Sequence, residues 1–391
     1  MRASGGIRVN RLFRATVRGG NRFTLLSDGG EFFSRILAAV DAAKNYVLVE
    51  FYLVESGRVV DDFIEAFARA TRRGVRIRAL FDAFGARRLS DRDRARLKAA
   101  QVEVVFFGAI GWRTFPRFFL RNHRKLLLVD GLVGFTGGTG LADMFSPAAR
   151  PDDYWLDCVV EIAGPVLDDW HELFAGTWRR SAHRKLDVVM HPAAARDGGE
   201  RGRVAISRGL GTHELERSVL TQVRRAKTRV WIATAYFWPS SRLRRSLRRA
   251  ARRGVDVRLL LPGPHTDAPA ARGAGRLFYV RLLASGVVIY EYQPSFLHAK
   301  VVLCDEWSSV GSSNLDRWGV LWNLDANQEI DSPEFARQVH TMLLQTSERS
   351  AMLRNAGDVR HHWSVTFWQW VARAILAWSA RAALRLRRGV R

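Results

Sequence analysis

One short pattern occurs twice in this chain and restricts what it can fold into. The first copy is His123, Lys125 and Asp130, within NHRKLLLVDG, and the second is His298, Lys300 and Asp305, within LHAKVVLCDE. Both read H-x-K-x4-D, in a chain with only six lysines. His183 and Lys185 also read H-x-K, but Met190 stands where the aspartate belongs. The residues between Lys and Asp are apolar in both copies, at 126–129 and 301–304. That predicts a short buried strand running into a turn. On a strand, a His and a Lys two residues apart share a face.

The surroundings of the two copies repeat as well. In the first half, 46–53 (YVLVEFYL) predicts a buried strand, and 59–73 a helix with Val60, Phe63, Ile64 and Phe67 on one side. Gly74 ends that helix, 75–81 alternates as a strand, and a helix at 91–100 leads to a strand at 102–107. The second half follows with a strand at 229–237, a helix at 241–253 closed by Gly254, and a strand at 255–261. A helix at 272–284 and a strand at 287–292 complete it. The phrases RATRRGVRIRALF (69–81) and RAARRGVDVRLLL (249–261) make duplication the simplest account. The expected fold class is α/β: two pseudo-twofold-related halves, each with a mixed central sheet flanked by helices. The expected organisation is a basic arm over 1–21, a first half over 22–181, and a linker over 182–203 containing Pro192, Gly198 and Gly199. A second half over 204–350 and a C-terminal segment over 351–391 follow.

Imidazole beside ammonium suits a phosphate: the Lys holds an anionic oxygen, and the His attacks or moves a proton. Two such strands meeting at a pseudo-twofold axis would set two histidines on opposite sides of one phosphorus. One would become a phosphohistidine; the other would protonate the leaving alcohol and deprotonate the incoming one. The net charge of +24 calls for an anionic partner: nucleic acid, acidic lipid or a phosphate-bearing substrate. The aromatic content of 11% excludes a disordered chain. Cys158 and Cys304 each sit in an apolar run and are expected as buried free thiols, and no zinc spacing exists. The first twenty residues are basic without an apolar stretch, so no signal peptide or N-terminal span is expected.

Two further stretches point to lipid. Ahead of His123, Trp112, Phe115, Phe118, Phe119 and Leu120 alternate with Arg113, Arg117 and Arg121, which suits an acyl chain beside a lipid phosphate. Near the C-terminus, Trp363, Phe367, Trp370, Val371, Ala374, Ile375 and Trp378 fall on one helical face. Arg373, Arg381, Arg385, Arg387 and Arg388 supply charge, so an interfacial helix on an anionic leaflet is expected. A helix docked on the core and a transmembrane helix are the alternatives.

These residues resemble the phospholipase D superfamily. The stretch VGSSNLDRWGVLWNLDANQEI after the second pattern resembles bacterial cardiolipin synthases, especially the shorter type B enzyme. Residues 19–53, 81–91, 121–138 and 153–170, with Tyr236, Phe237 and Pro239, fall in register with that group. The resemblance implies that His123 and His298 are the nucleophile and the acid/base, with His123 favoured for the attack. It implies that Lys125 and Lys300 bind phosphate, that Ser312 and Asn314 complete the phosphate pocket, and that Gly137 and Gly138 hold the corresponding turn. Asp130 and Asp305 complete the motif as structural or His-orienting carboxylates. Three departures stand out. Gly140 replaces an expected Asn, whose role would pass to Thr139 or Asp143, and Asp325 replaces a Glu. The second copy is also one residue shorter between its Asp and the following Gly. The implied activity is a phosphatidyltransferase that makes cardiolipin from phosphatidylglycerol and a second phospholipid, possible donors including phosphatidylethanolamine. Hydrolysis as a phospholipase D is the alternative, and a phosphodiesterase nuclease a more distant one. The resemblance implies an anionic membrane as partner, peripheral placement on the cytoplasmic face of the bacterial inner membrane, and no cofactor, metal, nucleic acid or obligatory protein partner.

Overall fold

The computed structural model describes residues 15–108, 120–188, 195, 199–209 and 213–359. Most of the basic arm, the aromatic-basic stretch at 112–119, much of the expected linker and the C-terminal helix lie outside the described residues.

The first half runs β1 (Arg18–Leu26), α1 (Gly29–Ala42), β2 (Tyr46–Phe51), α2 (Arg58–Arg72), β3 (Arg76–Asp82), α3 (Asp91–Ala99) and β4 (Glu103–Phe107). It continues β5 (Arg121–Asn122), β6 (Lys125–Val129), β7 (Val133–Gly137), β8 (Val159–Ala163) and α4 (Leu167–Ala182). The second half runs β9 (Glu200–Arg208), α5 (Glu214–Arg225), β10 (Arg229–Ala233), β11 (Phe237–Trp238), α6 (Ser241–Arg252), β12 (Asp256–Pro262), α7 (Pro269–Arg276), α8 (Tyr279–Leu283) and β13 (Val288–Tyr292). It closes with β14 (Val301–Cys304), β15 (Trp307–Gly311), β16 (Leu315–Asp316), α9 (Arg317–Trp322), β17 (Asn323–Asp331), α10 (Pro333–Glu348) and β18 (Ser350–Leu353).

The expected pair of sheets is joined into one. Its order is β18-β13-β12-β10-β14-β15-β17-β9-β1-β8-β7-β6-β2-β3-β4, with β5 added beside β17. Read outward from the central β1–β9 pair, the two halves run in the same order, and β18 is an extra edge strand of the second. The parallel run β2-β3-β4 matches β10-β12-β13, and the antiparallel run β8-β7-β6 matches β17-β15-β14. The seam strands were not foreseen. β1 starts at Arg18, inside the expected arm, because the Arg18 guanidinium donates to both carboxylate oxygens of Asp169 at 3.0 and 2.8 Å. β9 starts at Glu200, inside the expected linker, and pairs with β17 along its length. The strand expected over 229–237 also stops early at Ala233, and the chain resumes pairing at Phe237 against β16.

Strands β2, β6 and β14 are buried at every residue, as strands covered on both faces must be. On one face, α1 and α2 pack over the first half and α5 and α6 over the second, each against its own core. On the other face a single core spans both halves, built on Trp170, Phe174 and Trp178 of α4 and Phe335, Val339 and Leu343 of α10. Each of these helices packs on its own half and also reaches the seam strand of the other. Trp170 on α4 donates Nε1–H to Gln328 on β17 at 2.8 Å, and the Leu25 amide on β1 donates to Gln338 on α10 at 2.9 Å. Both cysteines are buried free thiols.

The two motif aspartates fasten this framework. Asp130 and Asp305 follow the far ends of β6 and β14, at φ 54° and 52°, a left-handed turn that Asp tolerates better than most residues. Asp130 accepts from the amides of Lys44, Asn45 and Tyr46 at 2.7–2.8 Å, and Asp305 from those of Lys227, Thr228 and Arg229 at 2.8–3.0 Å. Each thus ties the start of one central strand to the end of its neighbour. Neither orients a histidine or acts as an acid: a whole strand separates each from its lysine, and its lone pairs are occupied. Replacing Asp130 or Asp305 by Ala should cost about 1.5–3 kcal/mol of stability in denaturant unfolding while turnover per folded molecule stays within a few-fold of the parent. A hundredfold loss of turnover at unchanged stability would overturn that assignment.

Candidate active site

Each motif histidine hangs from the opposite half. β5 runs parallel to β17, and the His123 amide donates to the Leu324 carbonyl at 3.0 Å. In the mirrored arrangement, Leu156 bridges Leu297, and the His298 amide donates to the Leu156 carbonyl at 2.8 Å. The residue after each of those leucines is an aspartate aimed at the imidazole. Asp325 lies 2.9 Å from His123 Nδ1, and Asp157 lies 2.6 Å from His298 Nδ1. A carboxylate can only accept, so Nδ1 carries the proton in both rings and Nε2 is left with a free lone pair. Sequence reasoning gave Asp157 no role and treated Asp325 only as a shortened Glu. The signal was present: L-D-x-x-x-E-I occurs at 156–162 and again at 324–330, a second element of the internal repeat.

Lys125 and Lys300 are buried. The Lys125 ammonium donates to the His123 carbonyl at 2.7 Å and stands 5.4 Å from the centre of the Tyr52 ring. The Lys300 ammonium donates to the His298 carbonyl and lies 2.8 and 3.0 Å from the two ring nitrogens of that histidine. With Nδ1–H directed at Asp157, Nε2 is the nitrogen able to accept from Lys300. Burial, then the adjacent lysine, lowers both imidazoles, to about 4 for His123 and about 3 for His298, against the pull of Asp325 and Asp157. Burial holds Lys300 down to about 8, and burial with Lys300 nearby keeps Lys125 well below its ordinary value. Burial pushes Asp157 up, but Lys300 and His298 outweigh it and keep the carboxyl below its usual range. The site therefore holds neutral imidazoles and lysines short of an anion.

The polar residues beside the second motif divide in role. Ser312 is fully buried; its hydroxyl donates to Asp325 at 2.7 Å and accepts from the Ala326 amide at 3.1 Å. It is thus engaged in holding the carboxylate that holds His123, and is not available to a phosphate as the resemblance implied. Asn314 lines the cavity, and its Oδ1 has no partner among the described residues. In the first half the equivalent positions are glycines for want of room. A Cβ on Gly138 would lie 2.5 Å from Asp157 Oδ1, and one on Gly140 would lie 2.8 Å from Leu53 Cβ. The missing Asn is not replaced by its neighbours. Asp143 accepts from the Arg58 and Val59 amides at the start of α2, and Thr139 Oγ1 donates to the Gly140 carbonyl.

His123, Lys125, His298 and Asn314 open into one cavity of about 1020 Å³ between the halves. Aromatic side chains, among them Tyr52, Phe84, Phe145, Trp155, Tyr236 and Trp238, line it together with Arg87, Arg88 and Arg121 and the carboxylates Glu55, Asp267 and Asp316. Lys300 and Asn314 also border a smaller cavity of about 290 Å³. Among the described residues, no group of three or more His, Cys, Asp or Glu side chains is arranged to hold a metal ion.

The chain matches the family described as cardiolipin synthase, PLD-like domain, over residues 36–144 and 219–346, one match in each half. Cardiolipin synthase A of Pseudomonas putida strain W619 is 34% identical over 350 residues, which is 88% of this chain and 72% of that protein. The probable cardiolipin synthase YwiE of Bacillus subtilis is 28% identical over 85% of this chain and 67% of its own length. Among solved structures, phosphatidylserine synthase from Haemophilus influenzae superposes with a TM-score of 0.71 at 14% identity, over 93% of this chain and 94% of that one. Polyphosphate kinase from Porphyromonas gingivalis gives 0.56 at 11% identity, over 90% of this chain and 53% of that one, so these two share its fold. By the matched halves and the extent of the identity, the chain belongs to the cardiolipin synthase family of phospholipase D-like proteins.

Proposed function

We propose that this protein is a phosphatidyltransferase that makes cardiolipin through a phosphohistidine. The observation that carries the mechanism is the facing in one cavity of two imidazoles whose Nδ1–H groups are held by carboxylates, each with a buried lysine two residues on in its own motif. His123 is the nucleophile: Lys125 is turned to its backbone carbonyl, whereas Lys300 stands against the ring of His298. His123 Nε2 attacks the phosphorus of a phosphatidylglycerol, the P–O bond to the glycerol headgroup breaks, and His298 gives that oxygen its proton. His298 then takes the proton of an acceptor hydroxyl, which attacks the phosphohistidine and regenerates His123. The substrate's negative charge faces Lys125 and Lys300, cancels their push on the imidazoles, and lets His298 hold the proton it must deliver.

The aromatic side chains support a diacylglycerol-bearing substrate, which on filling the cavity would displace water and favour an alcohol over hydrolysis. The net charge of +24 supports an anionic membrane surface as the working place. No helix among the described residues is long and apolar enough to cross a membrane. We assign Asp157 and Asp325 as positioning residues and Asn314 as a phosphate ligand.

Incubation with phosphatidylglycerol vesicles and mass spectrometry of the lipids should give cardiolipin and free glycerol. Phosphatidic acid as the sole product would make the enzyme a phospholipase D, and an absence of lipid turnover would remove the proposal. His123→Ala and His298→Ala should each lower turnover by about 10³-fold or more at unchanged stability. The lowered Lys300 sets a pH dependence. Below about 8 the ammonium is charged in the free protein; above it, a bound anion must restore the proton. Affinity for tungstate, a phosphate mimic, should therefore fall more steeply above pH 8 than below it, by up to about tenfold more per pH unit. A fall centred near 6.5, the ordinary imidazole value, would assign the anion's grip to the histidines instead.

A further inference from the structure

A second basic cavity lies under α4, on the face of the sheet away from α1 and α2. Its volume is about 350 Å³, and Arg124, Arg179, Arg180, Lys185 and Arg208 border it, with Glu172 the one carboxylate. Arg124 forms its floor and is 1% exposed. That side chain donates to Thr177 at 2.9 Å and lies 3.6 Å from Glu50, but its Nε has no hydrogen-bond partner among the described residues. No carboxylate of the described residues pairs with Arg179, Arg180 or Lys185. Partial burial of its head, with Arg124 and Arg208 beside it, holds Arg180 down to about 10. Arg179, Arg180 and Lys185 are exposed at its rim, and an anion that joined them would relieve their repulsion with the buried Arg124.

The internal repeat supplies a control. The residue between His and Lys is Arg124 in the first motif and Ala299 in the second, and both are buried. The fold therefore accepts a small apolar residue at this place, and the buried guanidinium is not needed to build the strand. A cavity of this size, at the small end of ligand pockets, admits a compact polar group and not an acyl chain. Planar guanidinium groups match phosphate oxygens in pairs.

We propose that the cavity beneath α4 is a second, non-catalytic anion site that takes a small ligand bearing one or two phosphate groups. It is separate from the catalytic cavity and does not depend on the lipid chemistry assigned there.

The test is calorimetric titration of the full chain with inorganic pyrophosphate at about 0.15 M salt, where loose surface attraction is screened. A Lys125→Met/Lys300→Met variant lacks the catalytic phosphate ligands and should still bind one equivalent. Adding Arg180→Gln/Lys185→Gln should weaken that binding by about tenfold or more. Adding Arg249→Gln/Arg252→Gln instead, which removes two exposed charges of α6, should leave it unchanged. If the lysine variant does not fold, the parent should bind two equivalents and Arg180→Gln/Lys185→Gln only one, with turnover retained. Comparison of glycerol phosphate with dihexanoyl phosphatidic acid identifies the source. Equal affinity means a free phosphate ester and a tighter short-chain lipid means a headgroup; either supports the site. An absence of saturable pyrophosphate binding outside the catalytic cavity, or equal weakening by the α6 control, would overturn it.

Discussion

The hydrogen bond from each motif histidine to a carboxylate of the opposite half is the constraint on which the rest of the structure depends. His123 leans on Asp325, and His298 on Asp157. Neither half contains a complete imidazole–carboxylate pair, so the site exists only where the halves meet in fixed register. A shift of one residue along a strand would turn each aspartate to the other face of the sheet. The seam is built to prevent this. β1 and β9 join the sheets edge to edge, α4 and α10 share one core beneath that join, and the Trp170–Gln328 bond ties α4 to a strand of the other half.

The same exchange balances charge. Two buried lysines would be costly in a dry interior without anions nearby, and Asp157 and Asp325 lie close enough to favour them. What remains is a site with neutral imidazoles and weakened ammonium groups, short of the negative charge that a phosphodiester brings. Substrate binding and protonation of the acid are thereby coupled: the phosphate supplies the field that allows one histidine to carry a proton at neutral pH.

Much of this was legible in the sequence. The doubled H-x-K-x4-D pattern and the repeated helix–strand phrases carry the α/β duplication and four of the site residues, because residue type and short spacing encode both. What was not legible depends on contacts distant in sequence. Asp157 and Asp325 reach histidines 141 and 202 residues away, and only the repeated L-D-x-x-x-E-I marked them. The motif aspartates stand near the histidines in the chain and could be read as orienting them, yet five strand residues carry Asp130 to the far end of β6, where backbone amides claim it. Ser312 resembles a phosphate ligand by motif, but folding buries its hydroxyl against Asp325. Gly140 reads as a lost ligand and is a steric necessity beside Leu53.

The crosswise pairing is tested most directly by pre-steady-state kinetics on a soluble short-chain phosphatidyl ester of p-nitrophenol, whose leaving group needs no acid. Asp157→Asn disables His298, so it should give a burst of about one equivalent of nitrophenolate followed by slow turnover, with phosphohistidine accumulating on His123. Asp325→Asn disables His123 and should give no burst. The opposite assignment of the two phenotypes, or a normal burst and turnover in both variants, would contradict the account.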